Sequence, residues 1–169
     1  TDPVRAAAFL ARHLLLALES GDPHRISLGL AAEAVTAARG SSGAAHRKTH
    51  TLLNDATALA ERIGNPHAKA FTLMMRSAVC YARGSWQEAV AQGDAAVEML
   101  RSECRNVAWE LSLAHILTFV CRSIRGDWAG NRRRLPHLVR DAEARGDLNA
   151  RLSLRILGCA YILELVADQ

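Results

Sequence analysis

The 169-residue sequence has few aromatic residues, which make up only 5% of the chain. β-Branched residues are also scarce, and no segment alternates between polar and apolar residues as a half-buried strand does. Ala (31) and Leu (23) together supply almost a third of the chain. Because both residues favour helices, the composition predicts an all-α protein.

Motifs of common catalytic and cofactor sites are also missing from the sequence. It contains no GxGxxG or GxxxxGK[ST] phosphate loop, no HExxH zinc motif and no GxSxG nucleophile elbow. We therefore predict no catalytic, cofactor-binding or metal-binding residues in this chain, and the sequence alone names no residues for partner binding.

Long apolar runs and paired cysteine motifs are absent as well. No run reaches the roughly 18 apolar residues that cross a bilayer, so we expect no membrane partner. The four cysteines lie in helical patterns without a CxxC pair (Cys80, Cys104, Cys121 and Cys159), which is typical of small buried thiols in a reducing cytoplasm. Because the chain begins at Thr1 rather than Met, we expect residues 1–169 to be one domain of a larger protein.

Helix boundaries are marked by short polar residues, Pro and Gly. Three N-cap acceptors precede a Pro that suits the first helical position (Asp2, Asp22 and Asn65). Ser85 and Glu88 have the spacing of a capping box, and Asp127 and Asp147 are predicted to cap two more helices. Glycines predicted to close helices in the left-handed conformation are Gly21, Gly40, Gly64, Gly84, Gly126 and Gly146.

These signals predict eight antiparallel helices with loops of two to four residues. The predicted helices cover residues 3–20, 22–39, 43–63, 66–83, 86–102, 106–125, 128–145 and 148–166. Helices that start near residues 22, 65, 106 and 147 alternate with helices that start near residues 2, 42, 85 and 127. This spacing predicts a helix-pair repeat of about 42 residues, in which stacking of the pairs buries their apolar faces.

The repeat is most visible at two turns. Arg83-Gly84-Ser85-Trp86 recurs 42 residues later as Arg125-Gly126-Asp127-Trp128, and we interpret both Trp residues as core anchors. Residues 84–89, Gly-Ser-Trp-Gln-Glu-Ala, resemble the turn of a tetratricopeptide (TPR) repeat, although the period is longer than the usual 34 residues. The resemblance implies a right-handed α-solenoid that binds proteins or peptides.

Residues 55–165 have a closer resemblance, carried by ALAERIGNPHAKA (58–70), ARGSWQEAV (82–90), CRNVAWEL (104–111) and LVRDAEARGDLNARLSLR (138–155). These segments resemble the region C-terminal to the kinase and ATPase modules of large bacterial serine/threonine protein kinases. The resemblance implies a scaffold or sensory platform in a signalling protein. The chain itself contains no HRD or DFG kinase motif.

Three residues depart from the repeat pattern. Asn131 occupies the position where Ala89 predicts a small apolar residue, and Cys104 replaces a helix-closing glycine. Pro136 falls inside the predicted helix 128–145 and should kink it near residues 132–135.

Two short motifs have simple structural explanations. His46 and His50 have the i, i+4 spacing of metal ligands, but Arg47 and Lys48 would repel a cation, so we favour a solvated helix start. The two Arg-Gly-Asp tripeptides at residues 125–127 and 145–147 are interpreted as helix boundaries, because each places Gly at a helix end and Asp at an N-cap.

An arginine-rich segment carries the main alternative for function. Residues 122–155 contain nine Arg against four acidic residues, although the whole chain has a net charge of only +4. We favour a solvated surface, and the alternative is a landing patch for an acidic segment or a nucleic acid. Aromatic residues interleaved with the arginines, as in single-strand binders, are absent.

We thus expect a non-catalytic platform for a protein or peptide, with nucleic-acid binding as the alternative and small-ligand sensing as a third hypothesis. The last predicted helix, 148–166, is apolar on nearly every side. Such a helix is normally covered by neighbours, so we expect self-association through this end of the chain.

Overall fold

The computed structural model describes residues 2–156, which form eight α-helices joined by turns of two to four residues. No strand occurs in this part of the chain, so the all-α prediction is confirmed. The predicted end of the last helix at residue 166 lies outside the described residues. The helices are α1 (Pro3–Ser20), α2 (Pro23–Ala38), α3 (Gly43–Ile63), α4 (Pro66–Ala82), α5 (Trp86–Glu103), α6 (Ala108–Ile124), α7 (Trp128–Ala144) and α8 (Leu148–Ile156).

Most of the predicted helix starts are confirmed by side-chain hydrogen bonds. Asp22 Oδ1 accepts from the His24 backbone N–H at 2.9 Å, and Asn65 Oδ1 accepts from the Ala68 N–H at 3.1 Å. Asp2 caps α1 in the same way. Each cap satisfies a backbone donor that has no partner inside the helix, which explains why these boundaries could be predicted closely.

Five of the six predicted glycines have positive φ values between 64° and 78° (Gly21, Gly64, Gly84, Gly126 and Gly146). The prediction for Gly40 was wrong, because this glycine, which follows the C-cap residue Arg39 of α2, has no positive φ. At the first Arg-Gly-Asp tripeptide, Gly126 has φ 78° and Asp127 Oδ1 accepts from the Gly130 N–H at 3.0 Å. The interpretation of this tripeptide as a helix boundary is confirmed.

The capping box predicted at Ser85 and Glu88 was wrong. Ser85 makes no side-chain cap hydrogen bond, and its backbone has ψ 62° instead of the extended value of a typical N-cap. Its backbone N–H donates to the Cys80 carbonyl at 2.9 Å. Asp127 has a similar backbone conformation and the same kind of backbone bond, to the Arg122 carbonyl, yet it caps α7. The longer side chain of Asp thus reaches the helix N-terminus where the hydroxyl of Ser85 does not.

The even-numbered and the odd-numbered helices pack differently. α2 contacts α4, α4 contacts α6, and α6 contacts α8, while each odd-numbered helix lies against its even-numbered neighbours in the chain. Among residues 2–156, no two odd-numbered helices make backbone contact. Grooves therefore open between successive odd-numbered helices, each with an even-numbered helix as its floor.

Small residues allow the helices to approach closely. Met74 of α4 is fully buried among Ala31, Ala56, Ala96 and Ala114, which come from α2, α3, α5 and α6. Such close-packed contacts between small side chains leave little free volume. The alanine excess of the sequence is thus used at helix–helix contacts.

The two Trp residues of the repeated turn have different environments. Trp86 is half-buried against Ala89, Val90 and Cys121, and its ring makes an edge contact with Tyr81 at 5.5 Å between centroids. Trp128 is 37% exposed, so its prediction as a core anchor was wrong. Ser123 stands 42 residues after Tyr81 and offers no ring to cover Trp128.

The helix α7 runs through Pro136, from Trp128 to Ala144. Pro136 has no backbone N–H to donate inside the helix, and the kink near residues 132–135 stays a prediction.

Candidate functional site

A pocket of about 300 Å³ lies in the groove between α5 and α7, with α6 as its floor. Its size reaches the lower end of the range for small-molecule sites. Its lining is unusually rich in cationic and polar side chains. The residues around it are Asp94, Val97 and Arg101 of α5, His115, Thr118, Phe119 and Arg122 of α6, and Asn131, Arg133, Arg134, His137 and Leu138 of α7.

We call this cavity the basic pocket, because four arginines and one aspartate line it. Arg122 is the most buried of the four, with only 7% of its side chain exposed. Its Nη2 donates to Oδ2 of Asp94, whose side chain is 48% exposed. A buried guanidinium needs such a partner, since an isolated buried charge is costly.

His115 supplies a neutral acceptor at the pocket. Burial, followed by the charge of Arg101, lowers the pKa of His115 to about 4. The ring is therefore uncharged at neutral pH, and its Nε2 accepts a hydrogen bond from Nη2 of Arg101 at 3.1 Å. This contact orients the Arg101 guanidinium beside the pocket without neutralising its charge.

Asn131 ties α7 to the floor of the pocket. Its fully buried amide Nδ2 donates to the Phe119 carbonyl at 2.9 Å and to Ser123 Oγ at 2.8 Å. Its Oδ1 has no hydrogen-bond partner within residues 2–156. The departure from the repeat pattern at this position thus replaces a packing contact by a polar link between α6 and α7.

The arginine-rich segment 122–155 contributes only part of this site. Arg122, Arg133 and Arg134 line the pocket, whereas Arg145 pairs with Asp141 at 2.9 Å and also donates to Ser112 at 3.2 Å. The segment is therefore not a uniform cationic face, because some of its arginines serve internal contacts.

Sequence reasoning missed the part of the site that comes from α5 and from the first half of α6. Asp94, Arg101 and His115 lie outside the arginine-rich segment and belong to no motif. The one signal in the sequence was the polar residue Asn131 at an expected apolar position.

His46 and His50 meet on α3 as their spacing suggests. Their Nε2 atoms are 3.2 Å apart, and Nη1 of Arg83 lies 3.3 Å from Nε2 of His50. The charge of Arg83 lowers the pKa of His46. No group of three potential metal ligands occurs among the described residues, and a nearby guanidinium opposes cation binding.

A row of polar side chains links three even-numbered helices. His24 Nε2 lies 3.2 Å from His67 Nδ1, and His67 Nε2 lies 3.1 Å from Glu110 Oε1. These residues belong to the first turns of α2, α4 and α6, and each is 43 positions from the next. The row joins equivalent places on successive even-numbered helices.

The thiols of Cys80, Cys104 and Cys121 are free. Burial raises the pKa of Cys121 to about 11, so this thiol is a poor nucleophile at neutral pH. The prediction of a buried position is confirmed for Cys121, whereas Cys80 and Cys104 are half-buried. Cys159 lies outside the described residues.

Comparison with protein-family models, with curated proteins and with solved structures gave no match to the chain. Within residues 2–156, no helix has both the length and the apolar character that a membrane span requires.

The depressed pKa of His115 predicts acid sensitivity. As the pH falls below the usual histidine value of 6.5, the unfolded chain takes up a proton that folded His115 does not bind until about pH 4. Stability should therefore decrease between these two pH values. Because a pKa unit corresponds to about 1.4 kcal/mol and the ring is only partly buried, we expect a loss of about 1–2 kcal/mol.

Urea denaturation across this pH range measures the effect. The His115→Gln variant removes the titrating group and should have a flatter pH dependence than the original chain. Asp147, whose pKa is lowered chiefly by the Ala150 backbone N–H, loses its stabilising effect only at lower pH. Equal slopes for the two proteins between pH 6.5 and 4 would rule out a role for His115.

Proposed function

We propose that this chain is a non-catalytic helical-repeat platform that binds an acidic protein or peptide segment in the groove between α5 and α7. The observation that carries this proposal is the basic pocket, where three arginines remain after Asp94 has paired with Arg122. An anionic side chain entering this groove would form charge-assisted hydrogen bonds with guanidinium donors.

The proposed architecture is a right-handed α-solenoid of TPR-like helix pairs with a period of about 42 residues. Its support is the alternation of helix contacts, in which successive even-numbered helices touch and odd-numbered helices flank them. The row formed by His24, His67 and Glu110 adds support, because equivalent residues of successive pairs contact each other.

We further propose that the platform belongs to a larger bacterial signalling protein of the cytoplasm. The support is the resemblance of residues 55–165 to the region that follows the kinase and ATPase modules of large bacterial serine/threonine kinases. In such a protein the platform would recruit or sense a partner while the catalysis takes place in another module.

Peptide binding tests the proposed function directly. An array of ten-residue peptides with acidic, neutral or basic composition is incubated with the protein, and the hits are measured by fluorescence anisotropy. We expect acidic peptides to bind to the original chain. The double variant Arg133→Gln/Arg134→Gln should bind the same peptides about tenfold more weakly. The matched control is Arg132→Gln, an exposed neighbour on α7 that does not line the pocket.

Two outcomes would contradict this proposal. Equal binding of neutral and acidic peptides would remove the role of charge, and equal weakening by Arg132→Gln would remove the role of the pocket. Because Arg133 and Arg134 are exposed, their substitution should leave the helical circular dichroism and the unfolding midpoint unchanged.

Nucleic-acid binding is the second candidate function, and the observation that favours it is the same concentration of arginines. Phosphate contacts release counterions, so affinity for DNA or RNA would fall steeply with salt. A titration with single-stranded and duplex DNA in rising salt separates the candidates. No binding at about 50 mM salt would eliminate the nucleic-acid function.

We also propose that the chain self-associates through α8. Leu148, Leu152 and Ile156 are exposed by 57%, 47% and 72% and lie four residues apart on one side of the helix. Covering such a patch stabilises a complex by about 25 cal/mol per Å² of apolar surface. Light scattering at high micromolar concentration should detect a dimer or larger species, and a strictly monomeric mass would contradict this.

A further inference from the structure

We propose that the basic pocket is a binding site for a phosphomonoester group. This inference deepens the proposed function, because it names the chemical group that the groove between α5 and α7 receives. The group could be carried by a phosphorylated side chain of a partner or by a free phosphate ester, and the experiment below separates these two sources.

The charge of the pocket exceeds what a carboxylate requires. One guanidinium suffices for a bidentate pair with a carboxylate, and Asp94 already provides that carboxylate for Arg122. Arg101, Arg133 and Arg134 also line the pocket. Three further cations around one cavity suit a phosphomonoester, which carries a charge of about −1.5 to −2 and three acceptor oxygens.

The positions of the arginines also favour a polyvalent anion. They come from three helices, α5, α6 and α7, and so approach the cavity from different sides. A tetrahedral phosphoryl group directs its oxygens in several directions, whereas a planar carboxylate presents two oxygens in one plane. Guanidinium donors on several walls therefore match the first geometry better than the second.

The size of the cavity points to an ester and not to the bare ion. Inorganic phosphate has only five non-hydrogen atoms, whereas a pocket of about 300 Å³ is within the size range of sites for small organic molecules. The remaining space can hold the group attached to the phosphoryl oxygen. Val97, Phe119 and Leu138 give part of the wall an apolar character that suits carbon atoms of such a group.

Asp94 controls the affinity of the site. Its carboxylate pairs with Arg122 at the pocket, so it opposes an incoming anion by repulsion and by competition for the same guanidinium. Because Asp94 is about half exposed, it can turn towards solvent when a phosphoryl group enters. Neutralising Asp94 should therefore strengthen anion binding, although it removes a native ion pair.

Calorimetric titration of the full chain at constant ionic strength tests the inference with three probes. These are inorganic phosphate, phenyl phosphate, and a degenerate peptide library with a central phosphoserine, compared with the same library containing Ser or Glu at that position. We expect saturable 1:1 binding of phenyl phosphate, and about tenfold weaker binding by Arg133→Gln/Arg134→Gln. The affinity of the Arg132→Gln control for phenyl phosphate should stay within about twofold of that of the original chain. The Asp94→Asn variant should bind phenyl phosphate severalfold more tightly.

Comparison of the phosphoserine library with phenyl phosphate identifies the source of the phosphoryl group. Tighter binding of the phosphoserine library than of phenyl phosphate indicates a phosphorylated partner, and tighter binding of phenyl phosphate indicates a small phosphate ester. Tighter binding of phenyl phosphate would support the phosphoryl site and would contradict the proposal that this groove binds peptides.

The inference and the proposed function fail in different ways. Equal binding of the Glu and phosphoserine libraries would overturn the phosphoryl site and leave an acidic-peptide groove. No saturable binding of phenyl phosphate or of the phosphoserine library at about 10 mM would also overturn it, since a weaker site lies below the affinity of specific recognition. Weaker binding by Asp94→Asn, with the helical circular dichroism unchanged, would contradict the location of the site at Arg122.

Discussion

Replacement of Phe119 by alanine is expected to lower the free energy of unfolding by about 4 kcal/mol. Phe119 is 1% exposed and is the largest fully buried side chain of the described residues. It forms a cluster with Leu154 of α8 and with Leu135 and Val139 of α7. Removal of the ring would leave a cavity where three helices meet, and urea denaturation at neutral pH measures the loss.

A matched control is available on the same helix. Trp109 is another large aromatic residue of α6, but it is 60% exposed, so Trp109→Ala should change stability by less than about 0.5 kcal/mol. A loss below about 1 kcal/mol for Phe119→Ala would mean that the contact between α6, α7 and α8 is not a packed core. Equal effects of the two substitutions would lead to the same conclusion.

The positions of the helices could be predicted closely because their ends are marked by local chemistry. Asp22-Pro23 and Asn65-Pro66 place an acceptor and a residue without an N–H where a helix must begin, and both caps form. These signals depend on neighbouring residues in the chain and need no knowledge of tertiary contacts. The eight helices and their short turns therefore followed from the sequence.

Errors arose where tertiary or neighbouring contacts decide the outcome. The hydroxyl of Ser85 makes no cap bond to α5, whereas the longer side chain of Asp127 caps α7 from a similar backbone conformation. Trp128 follows the repeat pattern but remains 37% exposed, and residue 123, at the repeat position of Tyr81, is a serine without a ring. A motif alone does not reveal such a partner.

The basic pocket was only partly predictable for the same reason. An excess of Arg between residues 122 and 155 is visible in the sequence, but the sequence does not tell which guanidinium groups converge. That depends on how α5, α6 and α7 are rotated about their axes. Arg101 and His115 join the site only through this packing, while Arg145 is drawn into contacts with Asp141 and Ser112.

Replacement of Gly93 by alanine is expected to destabilise the protein by about 3 kcal/mol, at the upper end of the usual range for overpacking. Alanine is favoured over glycine inside a helix by about 1 kcal/mol, so a stabilised protein would be expected from local preference alone. The surroundings oppose this gain. A Cβ at position 93 would lie 2.2 Å from Cγ2 of Thr118 and 3.0 Å from Oγ of Ser77.

Neither neighbour can move away easily. Ser77 and Thr118 are buried on α4 and α6, and their hydroxyls donate to the carbonyls of Ala89 and His115. At Gly93, α5 is therefore in close contact with both α4 and α6. The added methyl group would force α5 outwards and disturb its contacts with each of them.

A compensating substitution distinguishes this clash from a general effect on α5. Thr118→Ser removes the methyl carbon nearest to position 93 and keeps the hydroxyl, so the double variant should regain more than half of the stability lost by Gly93→Ala. Gly43→Ala is the control, because a Cβ there meets only the flexible end of Arg47 at 3.6 Å. Chemical denaturation of the original chain, the two single variants and the double variant gives the coupling free energy between positions 93 and 118. Additive effects of Gly93→Ala and Thr118→Ser would show that α5 does not approach α6 at this point. Because Thr118 also lines the basic pocket, the floor of that pocket would then need a different arrangement.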